Sequence, residues 1–366
     1  MLKVGIVGLP NIGKSTLFNA LTHSSKAESA NYPFCTIKPN IGIVAVPDKR
    51  LFRLAKMTET KKLIQAVIQV VDIAGLVSGA SKGEGLGNQF LANIKEVDAI
   101  IHVVRCFENV NISHNMKDIN PARDIEVITT ELILADLQSV ESQLRKNKKK
   151  ANYKDKDTII NIALLERLFD HLNDGNAAIT FPRKKEEIKK IKQFFLISDK
   201  PTIYACNISL NDLKHSEDNK YFKQIKSYTY NKNKIKSCII CAKLEAEINE
   251  LSSIEAKEYF EAFGIKKSGI SKLIQKSYDL LGLASYFTAG KEEVRAWTFN
   301  KGMKAPDCAG IIHTDFKEKF IKAEVISYND LMIAGGFSSG RKLGKYRLEG
   351  KNYIFADGDI ANFRFN

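Results

Sequence analysis

With 366 residues, 44% hydrophobic and 27% charged, the chain is long enough for two or three domains with sizeable cores and has the composition of a globular protein. No stretch approaches ~18 uninterrupted apolar residues and the first residues lack the charged, apolar and cleavage regions of a leader, so membrane-spanning classes are set aside and a soluble, cytoplasmic protein is expected. A formal net charge of +14 favours a polyanionic partner, although a Lys-, Ile- and Asn-rich composition also follows from genome base bias.

The first predicted element is the apolar strand Lys3-Val4-Gly5-Ile6-Val7, and Leu17 to Leu21 reads as a helix. Between them stands Gly8-Leu9-Pro10-Asn11-Ile12-Gly13-Lys14-Ser15-Thr16. G-x-x-x-x-G-K-S between a strand and a helix is the pattern of a P-loop, whose glycines let backbone N–H groups surround phosphate oxygens at the positive end of the following helix. Lys14 would neutralise the β- and γ-phosphates and the Ser15 hydroxyl would bind Mg²⁺; Asn11, Ile12, Gly13 and Thr16 complete the nucleotide-holding set.

Asn31 to Asn40 carries one threonine between two prolines, and Thr36 is the candidate that closes over Mg²⁺ and the γ-phosphate as switch I. Ile41 to Val46 and Ile64 to Val71 read as strands. The second ends in Asp72-Ile73-Ala74-Gly75, the D-x-x-G form of Walker B, in which Asp72 serves the metal's water shell and the Gly75 amide meets the γ-phosphate. The glycine-rich run after it is the expected switch II. Its first residue is Leu76, where many related GTPases carry a water-orienting glutamine. Leucine cannot orient water. A substitute is therefore sought beyond the strand Ala99 to Val104, and His114, in the polar loop Glu108 to Met116, is the catalytic candidate; packing within its own loop is the alternative. His102, inside the apolar run, reads as a core residue.

From Asp124 the period becomes helical. Ile133, Leu137, Val140 and Leu144 form one apolar series, Leu165, Leu168 and Leu172 a second, and Ile188, Ile191 and Phe195 a third, which together predict long antiparallel helices. The tip from Lys146 to Asp157 is strongly basic, suited either to RNA phosphates or to plain solvation. Pro201 ends this arm and the strand Thr202 to Cys206 delivers Asn207-Ile208-Ser209-Leu210, where a GTPase would carry N-K-x-D and where Asn207 would contact the N7 edge of the purine. Ser209 and Leu210 cannot accept hydrogen bonds from guanine N1 and N2 as an aspartate does, so guanine specificity should be lost. A further strand ends in Cys241-Ala242-Lys243, which matches the S-A-K base-stacking loop. Cys238 and Cys241 have C-x-x-C spacing, but side chains three apart on a strand face opposite ways, so no joint metal site is expected. Beyond Gly282, strands around Trp297, Ile321 and Phe355 predict a separate small α+β domain.

On these residues, together with Asp357-Gly358-Asp359-Ile360 and Phe363-Arg364-Phe365-Asn366, the whole chain resembles the YchF family, the Obg-like ATPases of the translation-factor class. The resemblance implies an α/β P-loop NTPase G domain over residues 1–282, interrupted by a helical coiled-coil arm at about 124–200, and a C-terminal TGS domain of ubiquitin-like β-grasp form over 283–366. It implies ATP as substrate in preference to GTP, Mg²⁺ as cofactor, the ribosome (rRNA and ribosomal proteins) as partner, and no membrane or sequence-specific DNA binding. The hydrophobic replacement of the glutamine matches Leu76, the family's loop histidine aligns with His114, and Asn11 matches a P-loop asparagine linked to K⁺ activation. One departure stands out: the family's N-x-x-E has Leu210 in place of the glutamate, which keeps a GTPase or dual-purine NTPase open beside the ATPase, as well as a non-catalytic nucleotide-gated RNA- or ribosome-binding module.

Overall fold

The computed structural model describes residues 2–23, 40–74, 86–109, 118–150, 155–231, 236–265 and 267–366. The strands are β1 Lys3–Val7, β2 Ile41–Ala45, β3 Lys62–Ile64, β4 Val67–Asp72, β5 Ala99–Arg105, β6 Thr202–Asn207, β7 Lys236–Ile240, β8 Leu283–Ala289, β9 Glu293–Asn300, β10 Phe320–Ser327, β11 Arg347–Glu349 and β12 Asp359–Phe365. Among the described residues two compact units emerge, one within residues 2–23, 40–42 and 69–273, the other within residues 43–68 and 274–366.

One six-stranded sheet has the order β2-β4-β1-β5-β6-β7. β1 lies parallel to β4 and β5, β5 to β6, and β6 to β7. Parallel strands require crossover connections and covered faces, and β5 meets that demand with seven residues that are all buried. His102 sits in that strand at 3% exposure, where burial pushes its imidazole down to about 3, so it is a neutral core residue as the apolar run predicted. Parallel pairing also brings the carboxyl ends of β1, β4, β5, β6 and β7 to one edge of the sheet, the place where open α/β sheets bind ligands.

The helices Pro121–Lys150 and Lys156–Asn173 pack on each other through Ile133, Val140, Leu164, Leu165, Leu168 and Leu172. Asp136, buried on the first of them, accepts from the N–H groups of Ile197 (2.8 Å) and Ser198 (2.7 Å) and from the Ser198 hydroxyl (2.6 Å). This carboxylate fixes the chain on its way back to β6. The third apolar series does not make a long helix: the helix Glu187–Lys192 has six residues. Phe195 lies beyond it with φ of 52° and is 80% exposed, while Phe194 takes the buried place at 7%. The left-handed residue turns the chain, so three-four spacing ceases to define a face there.

The second unit is built on the sheet β11-β10-β12-β8-β9-β3. Its core centres on Tyr286, which is fully buried and rings itself with Trp297, Phe299, Phe355 and Phe363. The run expected as one strand from Ile64 to Val71 divides: β3 pairs in parallel with β9 through Lys62–Glu293, Leu63–Val294 and Ile64–Arg295, and β4 joins β1. Arg50, which follows the helix cap Asp48, donates to Asp48 and to Asp357 (2.7 Å) and stands 5.1 Å over the Phe287 ring. Asp357 also accepts from the Ser285 N–H at 3.0 Å. A Cβ on Gly358 would lie 2.7 Å from the Arg50 guanidinium, and its φ of +90° is one that glycine adopts freely. The terminal D-G-D signature is therefore an internal fastening of this unit.

Candidate nucleotide site

β1 runs straight into the loop Gly8 to Gly13, and its glycines are there for space and backbone sign. A Cβ on Gly8 would come within 2.2 Å of the Ile12 side chain and 2.9 Å of the Val103 carbonyl. Gly13 has φ of +90°, and a Cβ there would meet the Asn207 amide at 2.5 Å. Asn11, at φ of 62°, is the second left-handed position, a conformation asparagine tolerates better than most residues. The helix Lys14–His23 then starts with no acidic residue in its first turn, so its positive end is left for an anion. Ser15 and Thr16 are its exposed second and third residues.

Lys14 donates from Nζ to Asp72 Oδ1, which joins the P-loop to the carboxyl end of β4. Asp72 is held by its own N–H bonding to the Asn40 carbonyl (2.9 Å), and Ile73 N–H bonds to the Ile6 carbonyl (3.1 Å). The two charged residues named from separate motifs thus meet at the sheet edge.

Asn207 ends β6 at 4% exposure. Its Nδ2 donates to the Ile12 carbonyl at 2.8 Å and its Oδ1 accepts from the Ala242 N–H at 3.0 Å. The side chain read from the sequence as a contact to the purine is first of all a strap between the P-loop and the Cys241-Ala242-Lys243 turn. Asn11, Gly13, Thr16, Asn207, Leu210 and Lys243 line one cleft of about 760 Å³. Leu210 reaches it with a side chain that also packs against the cluster of Ile208, Tyr221 and Phe222. Lys243 is largely exposed at its rim.

Phe107 to Asn109 also line this cleft, a role the sequence did not show: Glu108 and Asn109 read there only as the start of the polar loop that carries His114. The Phe107–Asn109 stretch is held at several points. Arg105, 2% exposed at the end of β5, donates from Nε to the Phe107 carbonyl (3.1 Å) and from Nη2 to the Asn109 carbonyl (3.3 Å). Burial pulls this guanidinium below its ordinary pKa, and Asp124 and Tyr221 act in the other direction. Asn219 Nδ2 donates to the Cys106 carbonyl (3.1 Å), and Glu108 accepts from Lys220 and Tyr221, both at 2.7 Å, which holds its carboxyl below the usual range. The available signal was a lone arginine closing an otherwise apolar strand.

Thr36, Gly75, Leu76 and His114 lie outside the described residues. Cys238 and Cys241 are both buried, and among the described residues no group of three or more His, Cys, Asp or Glu is placed to hold a metal.

A family model described as "50S ribosome-binding GTPase" matches residues 3–131, and the YchF-GTPase_C model, described as "Protein of unknown function", matches residues 283–366. The chain is 49% identical to a ribosome-binding ATPase YchF of Bacillus subtilis over 365 residues, covering 100% of this chain and 99% of the relative. It is 46% identical to a protein of the same name from Mycoplasma genitalium, with 100% of both covered. Among solved structures, the Schizosaccharomyces pombe YchF GTPase matches with a TM-score of 0.90 and 37% identity, over 99% of this chain and 97% of that one.

Proposed function

The chain belongs to the YchF family and is a nucleoside-triphosphate hydrolase with a P-loop GTPase-type domain; on that footing we propose that it hydrolyses ATP to ADP and phosphate with Mg²⁺ and acts as a nucleotide-gated switch on the ribosome. The ribosome and ATP enter through the relatives' names. Support from this chain lies in its charge of +14 and in the exposed Lys146, Lys148, Lys149, Lys184, Lys185 and Lys189 of the helical region, which suit phosphate contacts by counterion release. We read that region as the family's coiled-coil insertion, the β8–β12 part of the second unit as its TGS β-grasp domain, and the cytoplasm as its location; among the described residues no helix is long and apolar enough to cross a membrane.

The observation that carries the ATP reading is the cleft, where Asn207 ties Ile12 to Ala242 while Leu210 stands where an acid would accept guanine's two donors. Lys14 would exchange Asp72 for the β- and γ-phosphates, one ion pair replacing another, and Lys243 would flank the base. The Ser15 hydroxyl and Asp72 carboxylate are hard oxygen donors beside the phosphate site, which fits Mg²⁺, an ion usually held by one or two protein oxygens together with phosphates and water. Bound there, Mg²⁺ would neutralise charge developing on the phosphates. Thr36 and Gly75 keep the phosphate-side roles their motifs give them, His114 the positioning of the attacking water, and Asn11 the K⁺-linked place. The deciding experiment is affinity for ATP and GTP measured side by side, with turnover followed in the presence of ribosomes and K⁺. GTP bound far more tightly than ATP would overturn the proposal.

A further inference from the structure

We infer that Arg105 is a positioning residue of the base cleft, its buried guanidinium setting the Phe107–Asn109 wall through which the cleft holds a base-bearing nucleotide more tightly than bare polyphosphate. This deepens the cleft reading above and rests on it. Taking a guanidinium out of water is costly unless its donors are used, and a well-packed apolar residue of similar size would serve a purely packing role at lower cost. Arg105 commits two of its donors to one short turn, bonding the Phe107 and Asn109 carbonyls at 3.1 and 3.3 Å, and stacks 4.8 Å from the Phe107 ring. The planar fork holds both carbonyls from one rigid plane through Nε and Nη2, whereas a lysine ammonium would have to serve them from a single point on a flexible stem.

The same strand end is tied to Asn207, another residue of the cleft lining. Arg105 lies in register with Asn207, and the Cys106 N–H donates to the Asn207 carbonyl at 2.8 Å. The loop that Arg105 shapes and the residue that straps Ile12 to Ala242 therefore share one backbone junction, so a displaced Phe107–Asn109 turn acts first on the base side of the cleft, while the phosphate-side pair Lys14 and Asp72 is anchored separately, through the Asn40 and Ile6 carbonyls.

The test compares ADP with inorganic pyrophosphate, neither of which is turned over, by calorimetry on the full chain with Mg²⁺. Arg105→Lys keeps the charge facing Asp124 and loses the fork. Its affinity for ADP should fall by roughly tenfold, the scale of losing a charge-assisted hydrogen bond, while pyrophosphate affinity stays within about twofold. If Arg105→Lys does not fold, Arg105→Gln, neutral and with one donor group, takes its place. A variant that keeps wild-type ADP affinity overturns the inference, as does one that loses both ligands equally, which would mark Arg105 as structural only. If neither variant folds, Arg105 is a determinant of the fold and the assignment falls. A wild-type protein that binds ADP no more tightly than pyrophosphate would instead sink the cleft reading itself.

Discussion

Asn207 and Ile12, 195 residues apart in sequence, are joined by a 2.8 Å hydrogen bond from the Asn207 amide to the Ile12 carbonyl, and this bond locks the end of β6 onto the P-loop. The other amide atom of Asn207 holds the Ala242 N–H, so one buried side chain sets the spacing of three loops. Its removal leaves a buried carbonyl and a buried N–H without partners, each costing about 1–3 kcal/mol. Asn207→Ala should thus lower both thermal stability and nucleotide affinity. Asn207→Asp should be no better, because a carboxylate would face the Ile12 carbonyl. Thermal melts with and without ADP measure both effects; an alanine variant with parental affinity would show that the strap is dispensable.

Lys14→Ala removes the cation that faces Asp72 and, in the proposed complex, the β- and γ-phosphates. Loss of one member of a close charge pair costs roughly 2–5 kcal/mol. ATP affinity should fall by at least thirtyfold, read by equilibrium binding. Unchanged affinity is incompatible with the P-loop assignment.

Purine choice is expected to follow position 210. ATP should bind at least as tightly as GTP, and Leu210→Asp should move the preference towards GTP by supplying an acceptor for guanine N1 and N2. A wild-type preference for GTP of about a hundredfold, roughly 2.7 kcal/mol, would contradict this account.

His114→Ala should lower turnover by about 10²–10⁴-fold, the usual worth of one positioned acid–base side chain, with ATP affinity nearly unchanged, since water positioning acts in the transition state. Steady-state rates alongside binding constants decide it. Hydrolysis at the parental rate would leave His114 as a loop residue only.

In the second unit, burial by itself would raise Asp357, but Arg50 and the Ser285 N–H outweigh it and hold the carboxyl below its usual pKa. A carboxylate depressed in the folded state adds stability above the unfolded-state pKa of about 4 and loses it as pH falls through the lower folded value. Asp357→Asn should therefore cost about 1 kcal/mol at neutral pH, a modest figure because the group is half exposed, and should flatten the fall in melting temperature below about pH 4. Parallel acid melts of the two proteins test this, and identical curves would refute it.

Much of the site could be read directly. Gly8, Gly13, Lys14, Ser15 and Asp72 announce themselves because a phosphate loop needs glycine backbone freedom, a cation and a hydroxyl at fixed spacing, and because apolar strands deliver those groups at their ends. The strands β1, β5 and β6 were legible for the same reason: near-continuous burial leaves a continuous apolar run. Phe195 was misread since a three-four rhythm is visible in sequence while the left-handed residue that ends it is not.

Periodicity, turn chemistry and the phosphate-binding pattern are local properties, carried within a few residues, and the amino-acid sequence by itself determined them. Which strand edge Lys62–Ile64 would pair with, that Arg50 would fasten Asp357 across 307 residues, that Asn207 would spend its amide on Ile12 and Ala242, and that Arg105 would hold the Phe107–Asn109 turn were decided only by the tertiary structure. The reason is physical: a buried polar group must find partners wherever the folded chain happens to bring them, and that choice depends on distant segments packing together, which no window of sequence contains.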